Sequence, residues 1–163
     1  MSNVILIGMA GCGKSTVGVL LAKILGYNFI DTDLLMQQRA GKRLFEILRD
    51  DGYRVFARYE NEALCSLNAE KTVIATGGSA VYSEEGMKKL RSLGKVVYIK
   101  LPFEEIEKRI DNLETRGILM KKGQTLKDIF EERLSLYEEY ADLVYDAQGK
   151  DLSTCAVEIS KMI

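Results

Sequence analysis

The chain has 163 residues, with 23 Lys and Arg, 24 Asp and Glu, and a net charge of −1. This length suits one domain over residues 1–163, and the balanced charge gives no reason to expect nucleic acid or a membrane as a partner. The sequence contains no histidine, so catalysis has to use carboxylates, Lys, Arg and backbone dipoles. No apolar run approaches the roughly 20 residues that span a bilayer. We expect a cytoplasmic protein that acts as a monomer.

Short apolar runs alternate with helical patterns along the chain. The runs predict strands at Val4–Ile7, Asn28–Ile30, Thr72–Ala75, Val96–Ile99 and Leu143–Tyr145. Helices are predicted up to Leu25, over 34–40, over 44–68 with a break near 50–52, after the Ser83 cap, after Pro102, after the Thr125–Asp128 capping box and from Ser153. Such alternation predicts a three-layer α/β/α fold around a five-stranded parallel sheet, with ligands at the carboxyl ends of the strands.

A glycine-rich loop follows the first strand and opens a helix. The run Gly8–Ser15 fits G-x-x-x-x-G-K-S, in which backbone N–H groups and the helix N-terminus bind phosphates. Lys14 is expected to reach the β- and γ-phosphates of ATP, and the Ser15 hydroxyl to ligate Mg²⁺. The predicted nucleotide contacts are Gly8, Gly11, Cys12, Gly13, Lys14, Ser15 and Thr16. The alternative, a chance match in a glycine-containing turn, lacks the strand–loop–helix context.

Two carboxylates, Asp31 and Asp33, leave the second strand beside this loop. One is expected to reach the metal shell, and the other to accept the proton of a substrate hydroxyl. The alternative is that the pair only caps the next helix. A signalling GTPase is excluded because the chain has no Asn-Lys-x-Asp, so the pattern favours a small-molecule kinase.

These motifs, in this order, resemble the shikimate kinase family over nearly the whole chain. The resemblance implies that Asp31 serves magnesium and that Asp33 binds the acceptor hydroxyls and acts as the base. Gly77-Gly78 matches the family's glycine turn, and Arg133, in Arg133-Leu134-Ser135-Leu136-Tyr137, matches the arginine that holds the substrate carboxylate. Arg116 matches a lid arginine that reaches the phosphates, within a mobile lid over about 111–124. Arg109 matches an arginine that packs on adenine.

The chain departs from the family pattern on the acceptor side. In the segment that matches G-E-x-x-F-R, Tyr53 stands at the Glu position and Ala57 at the position of a carboxylate-binding Arg. Arg58 lies one residue later, about 100° around a helix, and is the candidate substitute for substrate binding, with Arg54 as a second candidate. Ser79 replaces the third glycine of the turn, and Gly117 replaces the lid proline. The acceptor-binding helices are predicted over about 33–68.

Three functional hypotheses follow. The first is an ATP- and Mg²⁺-dependent shikimate kinase, and the second is a kinase of the same family that phosphorylates another small alcohol or sugar acid. The third is a nucleotide-binding regulatory module without turnover, which the intact Lys14, Asp31 and Asp33 disfavour. Two local alternatives also stay open. The basic segment 109–124 is either a closing lid or a solvated loop, and Cys12 is either a small packing residue or a redox-sensitive thiol.

Overall fold

The computed structural model describes residues 2–110 and 117–163. Its centre is a five-stranded parallel sheet in the order β2-β3-β1-β4-β5. The strands are β1 Asn3–Ile7, β2 Asn28–Asp31, β3 Thr72–Ala75, β4 Gly94–Lys100 and β5 Leu143–Asp146. The predicted number of strands and their parallel arrangement are confirmed.

Helices flank the sheet, with α1 packed beside the last helix and α4 beside α5. Their bounds are α1 Lys14–Leu25, α2 Thr32–Ala40, α3 Leu44–Glu46, a π-helical turn Ile47–Asp51, α4 Gly52–Cys65, a 3₁₀ turn Ala80–Tyr82, α5 Glu84–Leu93, α6 Phe103–Arg109, α7 Leu126–Tyr140 and α8 Leu152–Ser160. None of the described helices is long and apolar enough to cross a membrane.

The central strand β1 is buried along its whole length. Ile5 pairs with Ile74 of β3 on one side and with Val96 of β4 on the other. A strand that is covered on both faces has a continuous run of apolar residues, which explains why β1 could be predicted from the sequence.

Two predicted helix starts are confirmed by their caps. The Ser83 hydroxyl accepts from Gly86 N, and Thr125 and Asp128 form a reciprocal capping box. Helix α2 begins at Thr32, two residues before its predicted start, because the Asp31 carboxylate accepts from Asp33 N. These bonds satisfy N–H groups that the first helical turn cannot satisfy itself.

The predicted break near 50–52 takes a different form in the structure. The chain stays helical through the π-turn Ile47–Asp51 and continues directly into α4 at Gly52. A second, smaller apolar cluster lies beneath these acceptor-side helices and contains Met36, Ile47, Phe56, Ala63 and Leu119. It anchors α2 and α4 beside the carboxyl ends of β2 and β3.

Candidate active site

The phosphate loop connects β1 to α1 and depends on glycine at two close contacts. Gly8 has φ 148°, and a Cβ there would lie 2.7 Å from Ile99 O. Gly13 has φ 94°, and a Cβ there would lie 2.7 Å from Leu152 Cδ2. At Gly8 both the left-handed backbone and the Ile99 carbonyl exclude a side chain, whereas at Gly13 the left-handed backbone is the main constraint, since the Leu152 methyl group can move.

Lys14 is the first residue of α1 and is buried, with 6% of its surface exposed. Its Nζ donates to Gly8 O at 2.7 Å and to Met9 O at 2.8 Å. These carbonyls hold the ammonium group back over the loop, beside backbone N–H groups of the kind that bind phosphate in such loops.

Asp31 uses its two oxygens for two different contacts. Oδ2 accepts from the Ser15 hydroxyl at 2.8 Å, and Oδ1 accepts from Asp33 N at 2.9 Å. The helix-capping alternative and the metal-shell hypothesis are therefore compatible, since each employs a different oxygen. The oxygen pair from Ser15 and Asp31 is of the kind that binds Mg²⁺ together with phosphates and water. No cluster of three acidic, Cys or His side chains forms a metal cage among residues 2–110 and 117–163.

Asp33 lies where two cavities meet. A cavity of about 360 Å³ lies over the phosphate loop and is lined by Ala10, Gly11, Gly13, Lys14, Ser15, Thr16, Asp33, Thr76, Gly77 and Gly78. A narrower one, of about 40 Å³, is bordered by Asp33, Gly77, Gly78 and Arg133. Desolvation raises the pKa of Asp33 to about 6, the Asp31 charge adds to this rise, and Lys14 opposes it.

The turn after β3 allows the two cavities to meet. A Cβ at Gly77 would lie 2.5 Å from Asp33 Oδ1, and a Cβ at Gly78 would lie 3.0 Å from both Ala10 N and Arg133 Nη1. Any side chain at either position would displace groups of the site. The glycines thus keep the passage between Asp33 and Arg133 clear.

Arg133 projects from α7 and is almost fully buried, with 1% of its surface exposed. Its Nη2 donates to Leu119 O at 2.7 Å and its Nε donates to the Tyr82 hydroxyl at 3.3 Å. These bonds fix the guanidinium at the wall of the narrow cavity, where it can attract an anionic group.

The protein-family model for shikimate kinase matches residues 10–163. The chain belongs to the shikimate kinase family. The curated relative Shikimate kinase 2 of Serratia proteamaculans is 36% identical over 152 residues, which cover 90% of this chain and 87% of the relative. Shikimate kinase of Moorella thermoacetica is 37% identical over 164 residues, covering 99% and 94%.

Solved structures give the same assignment. A shikimate kinase from Acinetobacter baumannii in complex with shikimate superposes with a TM-score of 0.90 at 29% identity, covering 99% of this chain and 92% of that one. The shikimate kinase of Aquifex aeolicus has a TM-score of 0.84 at 34% identity, covering 98% and 96%. The predictions of a P-loop kinase fold and of a phosphotransferase that acts on a hydroxyl group are confirmed.

For this shikimate kinase family member, the structure does not bring Arg58 to the site. The Arg58 side chain is 63% exposed, and its Nε lies 3.9 Å from Glu62 Oε1 on the same helix. Arg54 is exposed as well. Neither arginine lines the cavities that Asp33 borders. The expectation that Arg58 replaces the missing arginine is corrected: on α4, position 57 faces inward and position 58 faces solvent.

Cys12 packs inward, away from the nucleotide cavity. It is 2% exposed, its Sγ lies 3.6 Å from Lys14 Nζ, and its N–H donates to Met9 O at 3.2 Å. The packing alternative describes this thiol, and the structure does not bring it into contact with the phosphate cavity.

The predicted lid falls partly outside the described residues. Arg116 and the rest of 111–116 belong to the stretch that the structure does not describe. The adjoining residues Ile118 and Leu119 are buried, and a Cβ at Gly117 would lie 2.5 Å from Leu44 Cβ. This packing against the acceptor-side helices contradicts the solvated-loop alternative for 117–119, whereas the mobile lid over about 111–124 stays a prediction.

Arg109 lies beside the phosphate loop at the end of α6. It borders an open cavity of about 670 Å³ lined by Gly11, Gly13, Arg109, Lys150, Asp151, Leu152 and Ser153. This place fits the adenine contact that the resemblance implied. The segment 150–153 was not singled out from the sequence, since a polar turn before a helix carries no distinctive motif.

Sequence reasoning also missed Glu60, which lies on α4 with 3% of its surface exposed. The Ser79 hydroxyl donates to Glu60 Oε1 at 2.5 Å, whereas Oε2 has no hydrogen-bond partner among the described residues. Burial is the main cause that raises the pKa of Glu60 to about 7. The Ser79 hydrogen bond and the Arg133 charge oppose this rise, and the Asp33 charge adds to it. Its burial could have been predicted from the helical spacing, because Glu60 lies one turn after Phe56 on the apolar face of α4 that continues through Ala63 and Leu64.

Proposed function

We propose that this chain transfers the γ-phosphoryl group of ATP, in the presence of Mg²⁺, to a ring hydroxyl of shikimate, the 3-hydroxyl that the family resemblance implies. The observation that carries the proposal is the position of Asp33, which lines both the phosphate-loop cavity and the narrow cavity beside Arg133. A carboxylate at that junction can touch an acceptor hydroxyl and face the terminal phosphate at the same time.

On the donor side, the residues bind and neutralise phosphate oxygens. The N–H groups of the loop and the N-terminus of α1 face the anion, and Lys14 turns from its two carbonyl partners towards the β- and γ-phosphates. Ser15 and Asp31 would hold magnesium, which supplies charge neutralisation on those phosphates. Arg109 packs on adenine, and Arg116, outside the described residues, is the proposed lid arginine.

On the acceptor side, Arg133 binds the substrate carboxylate, and Gly77 and Gly78 leave room for the ring. Asp33 accepts the proton of the attacking hydroxyl while the new O–P bond forms and the bond from the γ-phosphorus to the leaving oxygen of ADP breaks. With a pKa raised to about 6, Asp33 is ionised near neutral pH and is more basic than an ordinary aspartate. Phosphoryl transfer needs little more than such positioning and charge neutralisation.

One observation favours a second candidate, a kinase of this family with another acceptor. Among the described residues that line the narrow cavity, Arg133 is the only arginine, and Ala57 borders the neighbouring space instead. A carboxylate held by one arginine rather than two loses a charge-assisted bond worth about 1.5–3 kcal/mol. An acceptor without a carboxylate would not need that second bond, so its affinity would not suffer from the missing arginine.

An ADP-release assay with shikimate and a panel of small hydroxy acids and alcohols tests the proposal. We expect shikimate to give the highest kcat/KM and Asp33→Asn to abolish release while ATP still binds. Asp51→Asn is a matched control, because Asp51 pairs with Lys42 at 2.7 Å on the acceptor-side surface. A higher kcat/KM for another acceptor would select the second candidate. ADP release by Asp33→Asn at the wild-type rate would exclude the base role. Cytoplasmic location and a monomeric state stay predictions.

A further inference from the structure

Tyr137 is a buried tyrosine between the phosphate loop and the glycine turn after β3. It lies on α7, one helical turn after Arg133, with 1% of its surface exposed. Its ring stacks on Tyr98 of β4, with the ring centroids 5.1 Å apart and 24° between the planes. This stacking holds the ring in one orientation, so the core of the protein defines where the hydroxyl lies.

The Tyr137 hydroxyl contacts both sides of the site. It donates to Gly78 O at 2.6 Å, and its oxygen lies 3.6 Å from Met9 Sδ in the phosphate loop. Burial raises the pKa of Tyr137, and the Arg133 guanidinium beside it opposes the rise. The hydroxyl therefore keeps its proton near neutral pH and acts as a hydrogen-bond donor.

Gly78, which accepts this bond, lies between the phosphate loop and Arg133. A Cβ there would lie 3.0 Å from Ala10 N and from Arg133 Nη1, and 3.6 Å from Gly8 O. Gly78 also lines both the phosphate-loop cavity and the narrow cavity. A small displacement of the glycine turn would therefore change the space in which the acceptor is held.

We propose that Tyr137 is a positioning residue for phosphoryl transfer: its hydroxyl holds the Gly78 carbonyl and thereby keeps the acceptor aligned with Asp33. Tyr137 lines neither of the two cavities, so it acts through the turn and not on a substrate. A misplacement of reacting groups by about 1 Å can cost about a hundredfold in rate. The inference rests on the proposed function, because it concerns the alignment of an acceptor with ATP.

The alternative is that this hydrogen bond only stabilises the fold. A buried carbonyl that loses its donor lowers stability wherever it lies, so unfolding measurements do not distinguish the two roles. Tyr145→Phe is the matched control, because the buried Tyr145 hydroxyl also donates at 2.6 Å, to Glu158 Oε2, from the edge strand β5. Loss of one such bond leaves an ordinary domain folded.

The first experiment measures ADP release with shikimate at saturating ATP. We expect Tyr137→Phe to lower kcat about ten- to a hundredfold and to raise the KM for shikimate, whereas Tyr145→Phe keeps both within about twofold. Circular dichroism and calorimetric titration with ATP check that each variant is folded and that its donor side is intact. Equal kinetic losses in the two variants would assign the hydroxyl a purely structural role and overturn the proposal.

The second experiment restores the donor. Tyr137→para-aminophenylalanine places an amino group where the hydroxyl was, and this group can donate to Gly78 O again. We expect its kcat to recover at least about fivefold relative to Tyr137→Phe, since the alignment of the acceptor is regained. A folded amino variant that stays as slow as Tyr137→Phe would show that the hydrogen bond is not the cause of the loss.

Failure of the positioning role and failure of the proposed function give different results. A wild type that releases ADP with shikimate, together with unchanged kcat and KM in Tyr137→Phe, would refute the positioning role alone. A wild type that releases no ADP with any acceptor would refute the proposed function, and the positioning role with it.

Discussion

Ser79 donates its hydroxyl proton to Glu60 Oε1 at 2.5 Å, which joins the turn after β3 to helix α4. Ser79 stands where the family pattern has a glycine, so this chain has gained a partner for an acid that is otherwise buried without one. We expect Ser79→Ala to lower the free energy of unfolding by about 1–3 kcal/mol, because the carboxyl then has no partner at either oxygen.

Urea unfolding at pH 7 measures this loss. Ser92→Ala is the matched control, because Ser92 is exposed and its hydroxyl donates to Lys89 O within its own helix; its effect should stay within about 0.5 kcal/mol. Equal losses in the two variants would show that the Ser79–Glu60 bond does not support the fold.

The raised pKa of Glu60 predicts how stability depends on pH. Below its ordinary pKa of 4.5 the carboxyl is neutral in both the folded and the unfolded chain, so it imposes no penalty. As pH rises towards about 7, the unfolded chain loses the proton first, and folding becomes less favourable until the folded carboxyl has also ionised. The whole difference amounts to about 3 kcal/mol.

Unfolding curves of the wild type and of Glu60→Gln at pH 5 and at pH 8 isolate this contribution, since Gln does not titrate. We expect the variant to gain about 2.5 kcal/mol relative to the wild type between the two conditions, because at pH 5 the unfolded carboxyl is already partly ionised. A constant difference between the two proteins would mean that Glu60 has an ordinary pKa.

The two contacts of Asp31 predict that its two roles can be separated. Asp31→Asn keeps an oxygen to accept from Asp33 N but loses the charge, so stability should change by less than about 1 kcal/mol while the Mg²⁺ requirement of ADP release rises at least tenfold. Asp31→Ala loses the cap as well and should cost a further ~1 kcal/mol in unfolding. An Asn variant with the wild-type Mg²⁺ dependence would remove Asp31 from the metal shell.

The orientations of Arg58 and Arg133 predict that only a substitution of Arg133 raises the KM for the acceptor. Arg58→Ala should leave the KM for the acceptor within twofold, because the side chain points to solvent beside Glu62. Arg133→Lys keeps the charge but loses the planar donor pair, and KM for a carboxylate acceptor should rise ten- to a hundredfold. Steady-state kinetics of the two folded variants measures both effects. A large rise in KM for Arg58→Ala would mean that Arg58, contrary to its exposed position, contacts the acceptor.

The phosphate side of the site could be predicted from the sequence because backbone geometry defines it. Gly8 and Gly13 are required by φ angles and close contacts, and the residues between them follow from the spacing. The acceptor side depends on which way side chains leave helices. Helix α2 ends at the Gly41 cap, and the π-turn Ile47–Asp51 then shifts the helical phase before α4, so the inward position on α4 cannot be counted forward from Asp33. The burial of Ile118 and Leu119 was overlooked because charged neighbours surround this short apolar pair.

The position of Asp33 at the junction of two cavities has a thermodynamic consequence. A ligand in either space changes the hydration and the electrostatic field of the same carboxylate, so the two occupancies cannot be independent. Linkage then requires reciprocity: the factor by which nucleotide alters the affinity for the acceptor equals the factor by which the acceptor alters the affinity for nucleotide. We therefore expect the Asp33 carboxylate, which borders both cavities, to couple the binding of the two substrates.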